Sequence, residues 1–283
     1  MVTEMLPATL PRRKTKATYE SWDKYSLNTS KGYYHQYPRN VLQRNLGNGQ
    51  FLEIGRLAGV SATEWSWGTL IFDTNNDGLN DIFVSNGIYK DLLDRDYLNY
   101  MANEARIRSM IQNDEDVITS LIDVMPSKPV VNALFKNEGA FQFENISESA
   151  GLQEESFSNG SAYGDLDNDG DLDLVVNNVN MPAFVYRNNT DTTANRSLQI
   201  ELQANSNQNT KAIGTFVQAL ANDQHYSAYN FPSKGFQSSV DPKIHLGVGS
   251  LNTLDSIRIT WPNGSKTTLE NIRTNQLLTL VQP

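Results

Sequence analysis

Hydrophobic residues occur along this chain in short runs separated by polar turns. Leu70-Ile71-Phe72, Ile82-Phe83-Val84 and Leu174-Val175-Val176 are three such runs. Leu198-Gln-Ile200-Glu-Leu202 alternates strictly between apolar and polar residues, as a strand with one buried face does. The pattern therefore predicts an all-β chain of short strands.

The strand pattern repeats at an interval of 92 residues. When the chain is shifted by that interval, residues 40–45 lie on residues 132–137, and Ala58-Gly59-Val60 lies on Ala150-Gly151-Leu152. Each unit contains two strands joined by a Gly turn, an Ala-Gly corner, and two strands flanking a polar loop. Units of about 50 residues with four short strands are typical of β-propeller blades. We therefore predict blades for residues 40–194.

The first unit is longer than the second. A third copy begins near Asn180, and the step from Asn137 to Asn188 is 51 residues instead of 92. The extra residues lie at about 88–128, where helix-forming residues are frequent. Their apolar positions, at 93, 97 and 101 and again at 107, 110 and 111, predict amphipathic helices. Residues 88–128 are thus predicted to be a helical insertion.

The pattern changes after residue 194, where short strands continue without the polar loop. Further strand signals lie at residues 213–217, 225–226, 235–238, 244–249, 257–261 and 277–280. Pro262-Asn263-Gly264 is a turn signal. We predict a separate small β-sandwich domain at residues 195–283.

The polar loop of the second copy, Asp165 to Asp173, contains five aspartates in nine residues. Like charges at this density repel one another unless a cation lies among them. Hard cations such as Ca²⁺ take six to eight oxygen ligands from flexible loops. The predicted side-chain ligands are loop positions one, three, five and nine, namely Asp165, Asp167, Asp169 and Asp173. Asp171 is predicted to offer its carbonyl oxygen while its side chain points outward.

An EF-hand loop and a solvated turn are the two alternatives to this short calcium loop. An EF-hand loop opens in the same way, but it needs a Glu at position twelve, and that position here is Val176. A solvated turn explains one Asp-rich stretch, but it explains two copies with identical spacing poorly. The first copy has Asp73, Asn75, Asp77 and Asp81 at the same positions, and Leu79 is its carbonyl donor. The sequence therefore predicts two Ca²⁺ sites, of which the first is the weaker because it has one carboxylate fewer.

The charge and composition of the chain disfavour some classes of binding partner. The chain has 283 residues, a formal net charge of −9 and no cysteine. Its pI is near 4.9 and its mean hydropathy is −0.48. Nucleic acid and anionic membranes are poor partners for such a charge. A framework of disulfides is excluded, and no apolar run is long enough to predict a transmembrane segment.

Residues 1–39 lack a polar loop of their own and are interpreted as the tail of a preceding repeat. Their basic run, which includes Arg12, Arg13, Lys14 and Lys16, has two interpretations: a solvated linker or a contact with a phosphate or a partner. The N-terminus has no signal-peptide pattern. Two and a fraction blades cannot close a ring, so we expect upstream propeller repeats in a longer parent chain.

The loops and their flanks resemble the FG-GAP/VCBS repeats of integrin-type β-propellers. Residues 195–283 are similar to the ASPIC/UnbV domain. The residues that carry this second resemblance are Ala212-Ile213-Gly214, Gly235-Phe236-Gln237-Ser238, His245-Leu246-Gly247-Val248-Gly249, Trp261-Pro262-Asn263-Gly264 and Asn275-Gln276. Met5-Leu6-Pro7 and Trp65-Ser66-Trp67 resemble large VCBS-repeat proteins of Bacteroidota surfaces. The resemblance implies a partial propeller with structural Ca²⁺ in both loops, and an extracellular or outer-membrane location.

We expect a non-catalytic binding or adhesion module for protein or glycan ligands at the cell surface. The alternative is a calcium-stabilised accessory domain of a carbohydrate-active enzyme or of a nutrient-uptake system. Catalysis by paired carboxylates is disfavoured because a bound cation would keep the acids ionised, whereas a general acid needs a raised pKa. The candidate contact surface is the insertion together with Trp65, Trp67, Tyr89 and Tyr97, and blade packing is the alternative role for the two tryptophans.

Overall fold

The computed structural model describes residues 1–16, 22–112, 116–205 and 207–283. Its five short helices are α1 Leu10–Lys16, α2 Trp22–Ser30, α3 Arg95–Met101, α4 Glu104–Gln112 and α5 Val117–Val124. The first nine strands are β1 Gln43–Asn45, β2 Phe51–Glu53, β3 Ser66–Phe72, β4 Asp81–Asn86, β5 Ala133–Asn137, β6 Phe143–Asn145, β7 Ser158–Gly164, β8 Asp173–Asn178 and β9 Phe184–Tyr186. The remaining strands are β10 Arg196–Gln203, β11 Phe216–Ala221, β12 Gln224–Tyr229, β13 Ile244–Gly249, β14 Thr253–Thr260, β15 Lys266–Arg273 and β16 Gln276–Val281. The prediction of a mainly β chain is confirmed.

The described strands form five separate sheets. Their strand orders are β1-β2, β3-β4-β5-β6, β7-β8-β9, β13-β10-β16 and β12-β11-β14-β15. No sheet closes on itself within the described ranges, so the propeller remains a prediction.

The four-stranded sheet β3-β4-β5-β6 combines two sequence repeats. Its strands β3 and β4 come from the first copy, and β5 and β6 come from the second. The sequence predicts that one repeat unit forms one blade. In the structure, this sheet instead takes two strands from one unit and two strands from the next. The pairing explains this arrangement, because Phe135 of β5 lies beside Ile82 of β4 and continues its ladder. Adjacent repeats are thereby locked together through backbone hydrogen bonds.

The two loop-bearing hairpins share one register. Phe72 pairs with Asp81 in the first hairpin, and Gly164 pairs with Asp173 in the second. Buried apolar side chains from the two sheets form one cluster, which includes Leu70, Phe83, Leu134, Leu172, Leu174 and Val176. Each of the three apolar runs identified in the sequence therefore contributes residues to the core between the two loop-bearing hairpins.

Helices α3, α4 and α5 lie between β4 and β5, in the segment where the sequence predicts helices. Tyr97 of α3 is buried at 4% exposure, whereas Met101 is 41% exposed. The predicted apolar face also includes Ile107 and Met110. The structure describes the helix at these two residues but not their side chains.

The basic N-terminal run is ordered rather than a solvated linker, and it contacts acids of this chain. Lys16, in α1, forms ion pairs with Asp91 and with Asp94, the latter at 2.8 Å, and all three side chains are nearly buried. The guanidinium of Arg12 lies 2.8 Å from the carboxylate of Glu64. Residues 10–16 therefore fasten the N-terminal segment to the base of the insertion.

Two of the candidate surface aromatics are packed. Tyr97 is buried, so its prediction as a contact residue is wrong. Trp67 is half-buried: its Nε1 donates to the carbonyl of Gly87 at 2.5 Å, and its ring lies 4.9 Å from that of Phe236. Tyr89 remains 38% exposed and packs edge-on against Phe157.

Residues 196–281 form two sheets around one apolar core. Leu198, Ile200 and Leu202 from β10 pack with Val217, Ile257 and Ile259 from the other sheet. The predicted strand at 213–217 begins only at Phe216, because Gly214 has a φ of +95° and forms a turn.

Residues 235–238 form a loop, not the predicted strand. This loop lies against β3 and β7, where Cβ atoms added at Gly68 and at Gly160 would lie 2.9 Å from Phe236 N and 3.2 Å from Phe236 O. A Cβ at Gly68 would overlap the loop backbone, and a Cβ at Gly160 would crowd it, because this backbone passes directly over the strands. Through this loop, the C-terminal region contacts both loop-bearing sheets.

None of the helices in the described ranges has the length and apolar character needed to cross a membrane.

Candidate metal centres

The first loop is wound around the carboxylate of Asp73. This carboxylate accepts N–H groups from Asn75 at 3.3 Å, Asp77 at 3.2 Å and Gly78 at 2.8 Å. Asn76 and Gly78 have φ values of +59° and +89°. The left-handed conformation at these two residues turns the backbone N–H groups inward. Most residues with a Cβ rarely adopt this conformation, but Asn adopts it more often than most and Gly adopts it readily.

The second loop repeats this arrangement. Asp165 accepts N–H groups from Asp169 and Gly170, each at 3.1 Å. Asn168 and Gly170 have φ values of +60° and +96°. The spacing shared by the two sequences therefore produces the same loop conformation twice.

The acids at position nine connect each loop to its sheet's third strand, either in that strand (Asn137 of β5) or just after it (Asn188, after β9). Asp81 accepts from the N–H groups of Thr74 at 3.0 Å and Asn137 at 2.8 Å. Asp173 accepts in the same way from Leu166 at 2.9 Å and Asn188 at 2.8 Å. Each of their carboxylate oxygens accepts at least one backbone hydrogen bond, and an oxygen with two lone pairs can also face a cation.

Position seven was predicted to supply a main-chain oxygen, from Leu79 and Asp171, and this stays a prediction. The structure shows that the N–H groups of these two residues donate to position five: Leu79 to Asp77 at 2.8 Å and Asp171 to Asp169 at 3.3 Å.

The second loop brings its carboxylates closest together. Oxygens of Asp165, Asp167 and Asp173 lie within 4.8 Å of one another, and this is the one cluster of three or more potential metal ligands of the types His, Cys, Asp and Glu in the described ranges. In the first loop, position three is Asn75, whose Nδ2 donates to Asp77 at 3.0 Å.

The electrostatics of the first loop fit a bound cation. Burial raises the pKa of Asp73 to about 7, the N–H of Gly78 acts against this, and the nearby Asp77 and Asp81 raise it further. Burial also raises the pKa of Asp81, although hydrogen bonds from Thr74 and Asn137 oppose the shift. The ionised carboxylates therefore lack a counter-charge, which a hard divalent cation bound by oxygen atoms would supply.

The prediction that the side chain of Asp171 points outward is wrong. Asp171 is only 1% exposed, its Oδ2 accepts from the N–H of Thr190 at 2.9 Å, and its Oδ1 has no partner. Burial, and next the neighbouring Asp169, raise its pKa to about 7. The segment after β9 folds back over the loop and covers this side chain.

An arginine faces the outer side of the second loop. The Nε of Arg187 lies 2.9 Å from Asp167, and one of its terminal nitrogens lies 3.5 Å from Asp169. Arg187 is 67% exposed at its side chain. It supplies positive charge to the same carboxylates that would bind a metal ion, so it competes with one.

Side chains of the C-terminal region complete the surroundings of both loops. Gln199 donates to Asp165 at 2.5 Å, and Ser197 donates to the carbonyl of Gly170 at 2.7 Å. At the first loop, His245 Nε2 lies 2.7 Å from Asn76 Oδ1. Burial lowers the pKa of His245 to about 4, so the ring is neutral at pH 7.

Sequence reasoning missed these surrounding residues. Asn137 and Asn188 occupy equivalent repeat positions, so the shift of the chain already aligned them and could have indicated their shared role. The C-terminal residues that reach the loops, Gln199 and His245 among them, have no such signal, because they belong to a region without the repeat.

The C-terminal region also matches a known family. Residues 205–283 match the family described as ASPIC and UnbV. The predicted ASPIC/UnbV resemblance of this region is therefore confirmed. Strand β10 lies before the matched residues and pairs with both β13 and β16, so the folded unit begins upstream of the match.

Two relatives match most of the chain. Cartilage acidic protein 1 of Mus musculus is 22% identical over 249 residues, which are 80% of this chain and 38% of the relative. Cartilage acidic protein 1 of Homo sapiens is 21% identical over 267 residues, which are 86% of this chain and 40% of the relative. The chain thus spans about two fifths of the length of these relatives.

Proposed function

We propose that this chain is a calcium-stabilised, non-catalytic binding module that acts outside the cell, at an outer-membrane surface or in a secreted form. The observation that carries the proposal is the repeated loop. Two hairpins have oxygen donors at positions one, three, five and nine, and both wind the backbone around the first carboxylate. The clustered oxygens of the second loop give the site most ready to hold Ca²⁺.

The residues that would hold the ion are Asp73, Asn75, Asp77 and Asp81 in the first loop, with their counterparts in the second. Ca²⁺ bound there supplies positive charge to buried acids. The protein supplies the rigid loop, the inward N–H groups and the cover from the C-terminal region. If an ion binds only the folded chain and its free concentration is 100 times its Kd, it adds about 2.7 kcal/mol to the free energy of unfolding.

The proposed architecture is a set of propeller blades of the FG-GAP/VCBS type. Support comes from two adjacent antiparallel sheets that combine strands of successive repeats and carry equivalent loops. A non-catalytic role is supported by the hydrogen bonding of the loop acids, which are fixed by backbone N–H groups rather than poised beside a reactive group. The extracellular setting is supported by the relatives, whose name refers to cartilage.

Calcium stoichiometry tests the proposal. Equilibrium dialysis of metal-stripped protein should give two Ca²⁺ per chain, one for Asp73→Ala, one for Asp165→Ala, and none for the double variant. Asp255→Ala, which changes an exposed acid on a C-terminal strand, serves as the control and should keep both ions. Failure of the unmodified chain to bind calcium, or equal loss in the control, would contradict the proposal.

A further inference from the structure

A cavity of about 520 Å³ lies between the first loop and the C-terminal region. Ile71, Asp73 and Gly78 form one wall, Tyr163 of β7 forms a second, and residues of β12, of the 229–243 segment and of β13 form the rest. Pockets for small ligands are commonly about 300–1,000 Å³ and occur preferentially where domains meet. Neither half of the chain forms this cavity alone.

The cavity contains a lysine without an acidic partner. The ammonium of Lys234 donates to the hydroxyl of Tyr163 at 2.5 Å and lies 5.2 Å from the centre of that ring. Within the described ranges it forms no ion pair, whereas Lys243 nearby is paired with Asp241 at 3.2 Å. Tyr163 is itself held by stacking on Phe72 at 4.5 Å. The ammonium is therefore fixed in position, with two N–H donors left for a ligand.

Exposed aromatic rings stand at the mouth of the same cavity. Phe231 is 57% exposed and Tyr229 is 62% exposed, and the latter ring is stacked on Phe216 at 4.7 Å. Tyr226 lies deeper, where its ring would be 2.9 Å from a Cβ added at Gly78. The cavity thus combines flat apolar faces at its mouth with a fixed positive charge inside.

A uronic acid matches this combination. Its ring presents C–H groups that pack on aromatic faces, and its carboxylate pairs with an ammonium. Its hydroxyls can form hydrogen bonds with polar groups of the cavity that otherwise contact water. Charge-assisted hydrogen bonds of this kind are about twice as strong as neutral ones. A neutral sugar would leave Lys234 unpaired, and a free inorganic anion would leave the rings uncovered.

We propose that the cavity between the first loop and the C-terminal region binds an acidic saccharide, with Lys234 pairing with a uronate carboxylate and Phe231 packing on the sugar ring. The inference rests on the proposed binding function and names the ligand class and the site. The ionised Asp73 in the cavity wall opposes an anionic ligand, so binding is favoured when Ca²⁺ occupies the first loop.

The test is calorimetric titration with digalacturonate, compared with its methyl ester, which has the same sugar rings but no charge. Free Ca²⁺ is held constant and saturating throughout. The unmodified chain should bind one digalacturonate and bind the ester at least about tenfold more weakly. Lys234→Gln should weaken digalacturonate binding by about tenfold, and Lys234→Arg should restore most of it. Phe231→Ala should weaken binding of both sugars.

Lys266→Gln removes the same charge from an exposed position on β15, and it should bind like the unmodified chain. Thermal melting of Lys234→Gln in Ca²⁺ should be close to that of the unmodified chain, which separates loss of the site from loss of the fold. Absence of saturable digalacturonate binding, equal affinity for the ester, or an equal loss in Lys266→Gln would overturn the proposal. Calcium stoichiometry is independent of these titrations, so two bound Ca²⁺ without sugar binding would refute this inference alone.

Discussion

Asp73 and Gly247 are in contact so close that a Cβ at residue 247 would lie 1.9 Å from Asp73 Oδ2. Gly247 belongs to β13 of the C-terminal region, and Asp73 is the first residue of a predicted calcium loop. The backbone of one region therefore presses directly on a candidate ligand of the other. A metal ion bound by Asp73 would therefore be coupled to the docking of the C-terminal region.

Gly247→Ala is expected to displace the first loop. The added methyl group meets both the carboxylate and the backbone of Asn76, at 2.8 Å, and backbone cannot move aside cheaply. Overpacking of this kind costs about 1–3 kcal/mol. Urea unfolding should show that loss, and dialysis should show weaker calcium binding at the first loop. Gly164→Ala is the control, because a Cβ there meets only ordinary contacts at 3.9 Å.

The second loop is expected to bind Ca²⁺ more tightly than the first, since it has four carboxylates at the ligand positions and the first has three. Asp165→Asn should therefore remove the tighter of two titration steps, and Asp73→Asn the weaker one. Asp169→Ala should lower the melting temperature more in Ca²⁺ than in chelator. Equal losses in the two conditions would show that the loop has no metal role.

Arg187→Gln is expected to increase calcium affinity at the second loop, because the guanidinium competes for Asp167 and Asp169. Exposed ion pairs contribute about 0.2–1 kcal/mol, so the gain in affinity should be roughly 1.4- to fivefold at low salt and smaller at high salt. Arg258→Gln changes an exposed arginine on β14 and should leave the affinity unaltered. A weaker second site in Arg187→Gln would show that this arginine supports the loop instead.

The stability of metal-stripped protein is expected to depend on Asp73. Its pKa is raised to about 7 in the folded chain, against about 3.9 for an unfolded Asp. The folded state therefore holds more protons between these values, and its free energy of unfolding decreases as pH rises from about 4 to about 7. Urea unfolding across this window should show a smaller decrease for Asp73→Asn than for the unmodified chain.

His245 contributes with the opposite sign. Its pKa is lowered to about 4 in the folded chain, against about 6.5 unfolded, so its contribution is lost as pH falls through that range. Both Asp73→Asn and the unmodified chain contain His245, so the difference between their pH profiles removes the contribution of this residue. Identical pH profiles for the two proteins would contradict the assignment to Asp73.

Lys16→Met is expected to destabilise the chain by about 3–5 kcal/mol, because it leaves Asp91 and Asp94 nearly buried without their cation. The loss should appear as faster proteolysis within residues 88–128, since Asp94 also caps α3. Lys14→Met, at an exposed position of the same helix, should be cleaved at the original rate. Equal rates for both variants would show that the ion pairs do not hold the insertion.

The shared conformation of the two loops could be predicted from the sequence, because their oxygen-bearing residues lie within nine consecutive positions and the pattern occurs twice. It predicted the insertion from the difference in repeat length. It did not predict the contact of Asp73 with Gly247, since no local pattern connects residues of a repeat to residues of a region without one. The error at Asp171 has the same origin: we expected position seven to turn its carbonyl toward the ion and its side chain to solvent, but Thr190, which lies beyond the loop, donates to that side chain and covers it.

Thermal melting in millimolar Ca²⁺ and in excess chelator tests the central claim most directly. We expect a higher melting temperature in Ca²⁺ for the unmodified chain and about half of that shift or less for a variant with one loop changed. No shift is expected when Asp73 and Asp165 are both changed to Ala. A melting temperature that is the same in Ca²⁺ and in chelator for the unmodified chain would contradict the claim that these loops are structural calcium sites.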